Sequence, residues 1–358
     1  MTNAANASTT GATYTLFAQT DMTNPNFYSF MQGINNYAFS YNVTYNGVNY
    51  PDSLQINSQV GAILESTIFD GSAFQFSLSG SAPSIVGGTI NSIIFQDWSG
   101  SSWTPTGSLT GLNIYAPALY QALEQVFVNP TTANETAVMQ ILFQGNDTIY
   151  GSLYNDILFG YGPSTTFIPG AGSDQITGTS GINTVVFSGG IQQYTVTSSN
   201  NLITVSNNVA AGGTDALTNI QEVKFSDITL VFNLHSSEDT LVYELYQAAF
   251  ARIPDLAGFT YWAGVADANN ASAISLADAF LAAPEFAQKY GGNPSNTAYI
   301  TELYTNVLGR APDQAGLNYW IGEANAGLPR DQLLVDFAVS QENVHLIAPH
   351  ISTGYWTT

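Results

Sequence analysis

The sequence contains no cysteine in its 358 residues. Disulfide bonds and thiol chemistry are therefore both excluded. Lysine and arginine together number only 5, against 26 aspartates and glutamates, which gives a formal net charge of −21. Because nucleic acids and anionic membranes repel such a chain, we expect neither as a partner.

Charged residues of either sign are also scarce, at 9% of the sequence, where about 25% is usual. Uncharged polar side chains must therefore cover most of the surface. Since few long Lys side chains would be immobilised on contact, packing against like molecules loses less conformational entropy. No apolar run approaches the length of a membrane span, and residues 1–20 lack the basic and apolar segments of a Sec signal peptide.

Motifs for catalysis are missing as well. None of the three histidines, His235, His345 and His350, stands in an H-E-x-x-H frame, and no G-x-S-x-G elbow or P-loop occurs. Glu65, Asp70 and Asp97 are near one another in sequence, but nothing specifies the geometry that a glycosidase needs. We expect no enzymatic activity.

A nine-residue period is the strongest feature that is present. Glycine, or proline in its place, recurs at Gly151, Gly160, Pro169 and Gly178, with further glycines at Gly145, Gly172 and Gly181. A large apolar residue recurs at Ile149, Leu158, Phe167, Ile176 and Val185. Two positions before each of these stand Asp147, Asp156, Thr165, Asp174 and Asn183. The series follows G-G-x-G-x-D-x-U-x, the nonapeptide pattern of a parallel β-roll.

Each slot of the nonapeptide has a physical role. Glycine permits φ > 0, which lets backbone carbonyls turn inward at a tight turn. A carboxylate is a hard oxygen ligand that suits Ca²⁺, and the apolar residue fills the core from a short strand. The alternatives are a solenoid without metal and a plain series of Gly/Asp-rich turns.

The segment resembles the RTX repeats of secreted proteins. The resemblance implies Ca²⁺ held between turns by a carboxylate of one repeat, its counterpart two repeats on, and turn carbonyls. Asp156 and Asp174 then form the best pair, whereas Thr165 and Asn183 weaken two further sites. The expected metal-site residues are Asp147, Asp156, Asp174, Asn183, Gly145 and Gly172. An RTX-like chain without an N-terminal signal also resembles the cargo of type I secretion, which implies a C-terminal signal and Ca²⁺-driven folding outside the cell.

The region before the repeats alternates apolar and polar residues in several runs, such as 14–17, 37–43, 73–78 and 89–95. This period of two predicts a mostly antiparallel sheet. Helical spacing then predicts helices over 116–128 and 133–142. The order of sheet and helices vaguely resembles bacterial haemophores, but no histidine precedes His235 to serve as a haem ligand.

Short strands are predicted after the repeats, at 194–197, 202–205 and 223–225. The stretch Asp215–Asp227 resembles the D-x-L-x-N-I-E-x-V-x-F-x-D run that closes RTX rolls, with Gln221 in place of Glu. We interpret it as a cap over the exposed end of the roll. A further Ca²⁺ site at Asp215 or Asp227 is the alternative.

The C-terminal region contains an internal repeat at an offset of 58 residues. The motif R-x-P-D-x-A-G-x-x-Y-W contains Arg252, Asp255 and Trp262 in the first copy, and Arg310, Asp313 and Trp320 in the second. Weaker matches follow at Phe280 with Glu285 and at Phe337 with Glu342. We predict that the Asp caps the next helix, that Tyr and Trp pack back on the preceding helix, and that the Arg pairs with the neighbouring Asp or with capping carbonyls. An anion-binding Arg is the alternative.

This duplicated region resembles an uncharacterised helical domain of RTX exoproteins and S-layer-like proteins, distantly similar to phycobilisome linker domains. That resemblance implies assembly rather than catalysis. The predicted class is multidomain α+β, with a β-rich domain (1–142), a β-roll with capping strands (143–235) and an all-α domain carrying the secretion signal (236–358).

The predicted function follows from these features together. We expect a secreted, extracellular or surface-bound Ca²⁺-binding structural protein that self-associates as an S-layer or filament subunit. A cell-surface polysaccharide or lipopolysaccharide and the type I secretion machinery are the other expected partners. An RTX-type adhesin or ligand-binding module is the alternative, and a haemophore-like haem binder is a more distant one.

Overall fold

A computed structural model of the chain describes residues 13–16, 34–45, 48–60, 63–77, 84–129, 131–209, 213–232, 237–269 and 271–358. Strands dominate the N-terminal half of these residues and ten helices lie mainly in the C-terminal half, which confirms the predicted mixture of α and β structure. The chain divides into two compact units, residues 1–223 and 224–358. The predicted boundaries at 142 and 235 remain predictions.

The first unit begins with a largely antiparallel sheet. Its strands are β1 (Thr13–Leu16), β2 (Ile34–Tyr45), β3 (Val48–Val60), β4 (Ile63–Ser77), β5 (Ser84–Trp98), β6 (Trp103–Thr110) and β7 (Ile114–Tyr115). The order is β2-β3-β4-β5-β6-β1, and β7 pairs with β5. All of these neighbours are antiparallel, as predicted. Strand β3 was not predicted, because Pro51 and Asp52 are residue types that strands disfavour.

One face of this sheet carries an apolar row. Leu54, Phe69, Ile93 and Leu109 are direct cross-strand neighbours on four adjacent strands, and all four are buried. Burying each such side chain contributes about 1.5–3 kcal/mol. Helices α1 (Ala116–Val128) and α2 (Thr132–Leu142) pack against each other, and α1 also packs on β5.

Asp70 lies next to Phe69 on β4 and therefore faces the opposite side of the sheet. Its side chain is fully buried, between its cross-strand neighbours Ser53 and Ser92. Burial raises the pKa of Asp70, and the hydroxyls of Ser53 and Ser92 oppose the rise only in part. Asp70 therefore holds its proton to a higher pH than an exposed aspartate does.

Replacing Asp70 by Asn should stabilise the protein relative to wild type as the pH rises. Below the unfolded-state pKa of an aspartate, both proteins carry a neutral group at this position. As pH rises above that value, wild type loses free energy of unfolding, and the loss is complete above the raised folded-state pKa. Urea unfolding from pH 4 to pH 8 gives the free energy of unfolding of each protein. The contributions of all other carboxylates are the same in both proteins and cancel when the two values are subtracted. A difference that does not change with pH would rule out this role of Asp70.

The nonapeptide segment forms short parallel strands that alternate between two sheets. Strands β8 (Asn146–Tyr150), β10 (Ser164–Ile168) and β12 (Thr184–Val186) stack in one sheet, and β9 (Ile157–Phe159) and β11 (Gln175–Thr177) stack in the other. Paired residues, such as Ser164 with Asn146, are 18 apart, so two nonapeptides make one turn of the chain. The five apolar slot residues are 0–1% exposed. The first sheet continues the N-terminal one, because β8 pairs with β1.

The stack does not end at β12. A 3₁₀ turn (Ile191–Gln193) and a hairpin of β13 (Tyr194–Ser199) and β14 (Leu202–Asn207) follow. Asn200 and Asn201 form the tip with φ of 51° and 63°, as a type I′ turn requires. The chain then returns as β15 (Thr214–Thr218), which pairs in parallel with β11, and as β16 (Glu222–Lys224), which lies beside β12.

The second unit is mainly helical. It contains β17 (Thr229–Val231), α3 (Ser237–Phe250), α4 (Leu256–Asn269), α5 (Ala273–Leu281), α6 (Pro284–Tyr290), α7 (Asn296–Leu308), α8 (Gln314–Asn325), α9 (Arg330–Ala338), α10 (Gln341–Ile351) and β18 (Tyr355–Thr357). Strands β17 and β18 pair antiparallel. Among the residues described, no helix combines the length and apolar character that crossing a membrane requires.

Candidate metal centre

Three carboxylates form a column along one edge of the stack. Asp156 and Asp174 stand immediately before β9 and β11, and Asp215 is the second residue of β15. The Asp156 N–H donates to Asp174 Oδ1 at 2.8 Å, and the Asp174 N–H donates to Asp215 Oδ1 at 2.9 Å. We call each turn of the stack, with one strand in each sheet, a rung. The carboxylate of each rung thus accepts a hydrogen bond from the backbone of the rung before it. We call these three residues the acidic column.

The acidic column is buried and electrostatically strained. Asp156 and Asp174 are 1% exposed and Asp215 is 6% exposed. Burial raises the pKa of Asp174 to about 7, with the charges of Asp215 and Asp156 adding to the rise. Burial also raises the pKa of Asp215 to about 6. Stacked carboxylates in such surroundings favour either protons or a cation.

One oxygen of the acidic column has no donor. Asp174 Oδ2 is buried and has no hydrogen-bond partner, whereas Asp156 Oδ2 accepts from the N–H and the hydroxyl of Ser152 at 2.7 and 2.9 Å. A buried carboxylate oxygen without a donor is unfavourable, and a hard cation relieves it. The donor set therefore fits Ca²⁺, which takes oxygen ligands from carboxylates and carbonyls.

The opposite edge carries a second column with one carboxylate only. Asp147, Thr165, Asn183 and Gln221 occupy its slots. Thr165 N–H donates to Asn183 Oδ1 at 3.1 Å, and Asn183 N–H donates to Gln221 Oε1 at 2.9 Å. The Asn183 side-chain amide also donates to the Thr179 carbonyl at 3.2 Å. Amide hydrogens thus engage acceptors that a cation would need, so this amide column is the weaker candidate.

Glycines bring backbone carbonyls close to both columns. Gly172 and Gly181 stand two residues before their column residues, with φ of +125° and +87°. A Cβ on Gly172 would lie 2.6 Å from the Tyr154 carbonyl oxygen, and one on Gly181 would overlap the Pro163 carbonyl oxygen. The Gly145 carbonyl oxygen approaches Gly162 in the same way. These carbonyls are the additional oxygen ligands that the turns can offer.

Each cation would draw on two neighbouring rungs. In the described part of the chain, no three or more His, Asp or Glu side chains gather as one metal cluster. The structure brings Asp156 and Asp174 together, and it places Asp147 next to Thr165, its partner in strand register. Asp147 and Asp174 lie at opposite edges, at the starts of strands in different sheets.

Sequence reasoning named Asp215 only as an alternative Ca²⁺ site, and it placed neither Asp215 nor Gln221 in a column of stacked residues. The signal exists, because Gly213-x-Asp215-x-Leu217 and Asn219-x-Gln221-x-Val223 repeat the second half of the nonapeptide. Asn219 even adopts φ of +54° in the slot that Gly181 fills one rung earlier. The inserted hairpin breaks the period and hides the match. The segment interpreted as a cap therefore also carries column residues.

The C-terminal motifs form ion-pair networks. Arg252 Nε and Nη2 donate to the two carboxylate oxygens of Glu285 at 2.7 and 3.1 Å, and Arg252 contacts Asp255 at 3.3 Å. The Tyr246 hydroxyl, the Gly258 N–H and Arg252 hold the pKa of Asp255 below its usual value. Because the guanidinium donors are engaged, the structure favours the structural interpretation of this Arg over anion binding.

The second copy repeats these contacts. Arg310 Nη2 donates to Glu342 at 2.8 Å, and Asp313 caps α8 by accepting from the Gly316 N–H at 2.9 Å. The weak sequence matches at Glu285 and Glu342 were therefore the partners of the two arginines. Ser236, three residues before Asp239, is predicted from sequence to cap the N-terminus of α3, but it lies outside the described residues.

The tyrosines of the motif do not pack as predicted, unlike the tryptophans. Trp262 stacks on Phe280 of the following helix α5 with ring centroids 4.7 Å apart, and Trp320 lies 5.3 Å from Phe337 of α9. The tyrosines that precede them, Tyr261 and Tyr319, are 63% and 58% exposed. The prediction that these tyrosines pack back on the preceding helix is wrong. Their side chains lie on the exposed faces of α4 and α8.

Two families match parts of the chain. The RTX calcium-binding nonapeptide repeat (4 copies) matches residues 143–162 and 169–186. A domain of unknown function, DUF4214, matches residues 277–347, and the predicted kinship with phycobilisome linkers is not confirmed by that match. No curated protein and no solved structure matches the chain. RTX nonapeptide repeats bind Ca²⁺ and are typical of secreted proteins.

Proposed function

We propose that the chain is a secreted, Ca²⁺-dependent structural protein whose copies assemble at the bacterial surface as an S-layer or filament subunit. In this proposal the nonapeptide segment is a β-roll that folds when it binds Ca²⁺, and it connects a β-rich region to a helical one. The RTX match and the oxygen-rich acidic column support the Ca²⁺ dependence. The edge of the N-terminal sheet is the observation that carries the proposal of assembly.

Strand β2 is the outermost strand of the N-terminal sheet. Its 12 residues, Ile34–Tyr45, include no charged residue and no proline. Its one register shift lies at Ile34/Asn36, so the pairing with β3 is regular from Asn36 onwards apart from Asn42, opposite Pro51. Within the described ranges, no strand pairs with the outer side of β2.

Monomeric proteins usually protect such an edge with lysines, prolines, bulges or a covering segment. A long regular edge without charge is a template for another strand, and main-chain hydrogen bonds then supply the affinity. A second copy of this chain is a suitable partner, because its surface carries few charges to desolvate. The net charge of −21 opposes association, and Ca²⁺ outside the cell both binds carboxylates and screens the remainder.

The other proposed partners follow from the same view. A surface polysaccharide or lipopolysaccharide would anchor the assembly, and type I secretion would export the chain. Because Ca²⁺ binding is coupled to folding, the roll would stay unfolded until it meets the ion outside. The helical region would add contacts between neighbouring subunits.

Replacing Ser40 and Asn42 on β2 by Lys should abolish assembly of the full chain in millimolar Ca²⁺. Two lysines on the edge would have to be desolvated beside those of the next copy, so pairing becomes unfavourable. Sedimentation velocity measures the fraction of protein in assemblies. Wild type should form large species, and the edge variant should stay monomeric.

The double variant Ser101→Lys with Thr104→Lys is the matched control. Both positions are exposed and lie outside β2, and the change in net charge is the same. This control should assemble like wild type. If wild type is monomeric in Ca²⁺, or if the edge and control variants behave alike, the proposal of assembly through β2 fails.

A further inference from the structure

Asp215 lies outside both stretches that match the RTX repeat, yet its surroundings copy those of Asp174 one rung earlier. Asp215 Oδ1 accepts the Asp174 N–H at 2.9 Å, just as Asp174 Oδ1 accepts the Asp156 N–H at 2.8 Å. Behind Asp215, β15 pairs with β11 in the parallel register that β11 has with β9. The third rung is therefore built like the second, although 41 residues separate the paired positions.

The neighbouring slots repeat as well. Ser173 N–H donates to Asn155 Oδ1 at 2.8 Å, and Thr214 N–H donates to Ser173 Oγ at 3.0 Å. Gly213 adopts φ of +73°, and a Cβ there would overlap the carbonyl oxygen of Gly172. A turn carbonyl thus faces the third rung as it faces the second. The chain has reproduced the local environment of a nonapeptide turn without its sequence period.

A ligand is indicated by the unsatisfied oxygen between the rungs. Asp174 is 1% exposed, its Oδ2 has no hydrogen-bond partner, and its carboxylate has Asp156 on one side and Asp215 on the other. Protein donors already serve the Oδ1 atoms of Asp174 and Asp215. A cation that accepts oxygen ligands fills this requirement, whereas an anion or a further carboxylate would worsen it.

We infer that the stack carries a Ca²⁺ site beyond the matched repeats, where β15 docks on β11, with Asp174 and Asp215 as its carboxylate ligands. This inference rests on the proposed Ca²⁺-dependent roll and extends it. The hairpin β13–β14 is inserted between β12 and β15, so a cation at this site fixes the point where the chain rejoins the stack. Docking of the hairpin and of β15 then depends on the ion.

The test is calorimetric titration of the full chain with Ca²⁺, comparing wild type with Asp215→Asn. Asparagine keeps an oxygen that accepts the Asp174 N–H and removes only the charge. The variant should bind one Ca²⁺ fewer per chain than wild type. Asp267→Asn removes the same charge from an exposed residue on α4, and it should bind as many ions as wild type.

Hydrogen exchange on wild type provides a second measurement that needs no variant. Adding Ca²⁺ should slow exchange of the β15 amides and of the Asp174 amide. Equal Ca²⁺ stoichiometry and affinity in wild type and Asp215→Asn would overturn the inference. So would exchange rates of the β15 amides that do not change when Ca²⁺ is added. If wild type binds no Ca²⁺ at all, the proposed function fails too, which separates the two outcomes.

Discussion

Replacing Asp156 and Asp174 together by Ala should raise the Ca²⁺ concentration needed to order the stack by about 100-fold, because affinity in oxygen sites follows the number of charged ligands. Both residues are 1% exposed, and the Asp156 backbone N–H donates to Asp174 Oδ1 at 2.8 Å. Circular dichroism during Ca²⁺ titration, starting from chelated protein, gives the midpoint for each variant. The Asp156→Asn, Asp174→Asn pair should shift the midpoint in the same direction, since it loses the charges but keeps the acceptors.

A pair of exposed helical aspartates controls for lost charge. Asp267 and Asp278 lie on α4 and α5 with exposed side chains, and replacing both by Ala should leave the Ca²⁺ midpoint near that of wild type. If the circular dichroism spectra of wild type and variant are both unchanged by the chelator, the acidic column has no metal role.

Gly181→Ala should destabilise the stack by at least about 2 kcal/mol, the sum of strain at positive φ and a backbone overlap. Gly181 has φ of +87°, and an added Cβ would overlap the Pro163 carbonyl oxygen of the rung before. Neither atom is the end of a flexible side chain, so relief requires the rungs to separate. Urea unfolding in millimolar Ca²⁺ measures the change.

Gly264→Ala is the matched substitution on a helix. Gly264 lies within α4, and an added Cβ meets no atom within 4 Å. Alanine there should stabilise by up to about 1 kcal/mol, its advantage in helix propensity. The two substitutions should therefore have opposite signs, and a Gly181→Ala protein as stable as wild type would contradict the stacked geometry.

The predictable part of the site was its local chemistry. The nonapeptide period lies within one continuous stretch of sequence and predicts the short strands, and the resemblance to RTX repeats implies the pairing of Asp156 with Asp174. Asp215 could not be placed in the same way, because the length of the inserted hairpin decides which rung it meets. That meeting is set by the β11–β15 register, which is a tertiary contact.

The helical region illustrates the same limit. Pairing of Arg252 with Asp255 is a contact between residues three apart, and the motif predicted it. The stronger partner, Glu285, lies 33 residues away, where only a weak match between the two copies marked it. In the N-terminal sheet, long strands tolerate residues such as Pro51 because neighbouring strands supply the remaining pairing, which propensity does not reveal.

Electron microscopy of the full chain, in millimolar Ca²⁺ and again after chelation, shows whether Ca²⁺ orders the stack and whether the ordered protein assembles into a layer or filament. We expect ordered arrays or filaments in Ca²⁺ that disappear when the ion is removed. Dispersed particles in both conditions, or arrays that persist after chelation, would contradict this expectation.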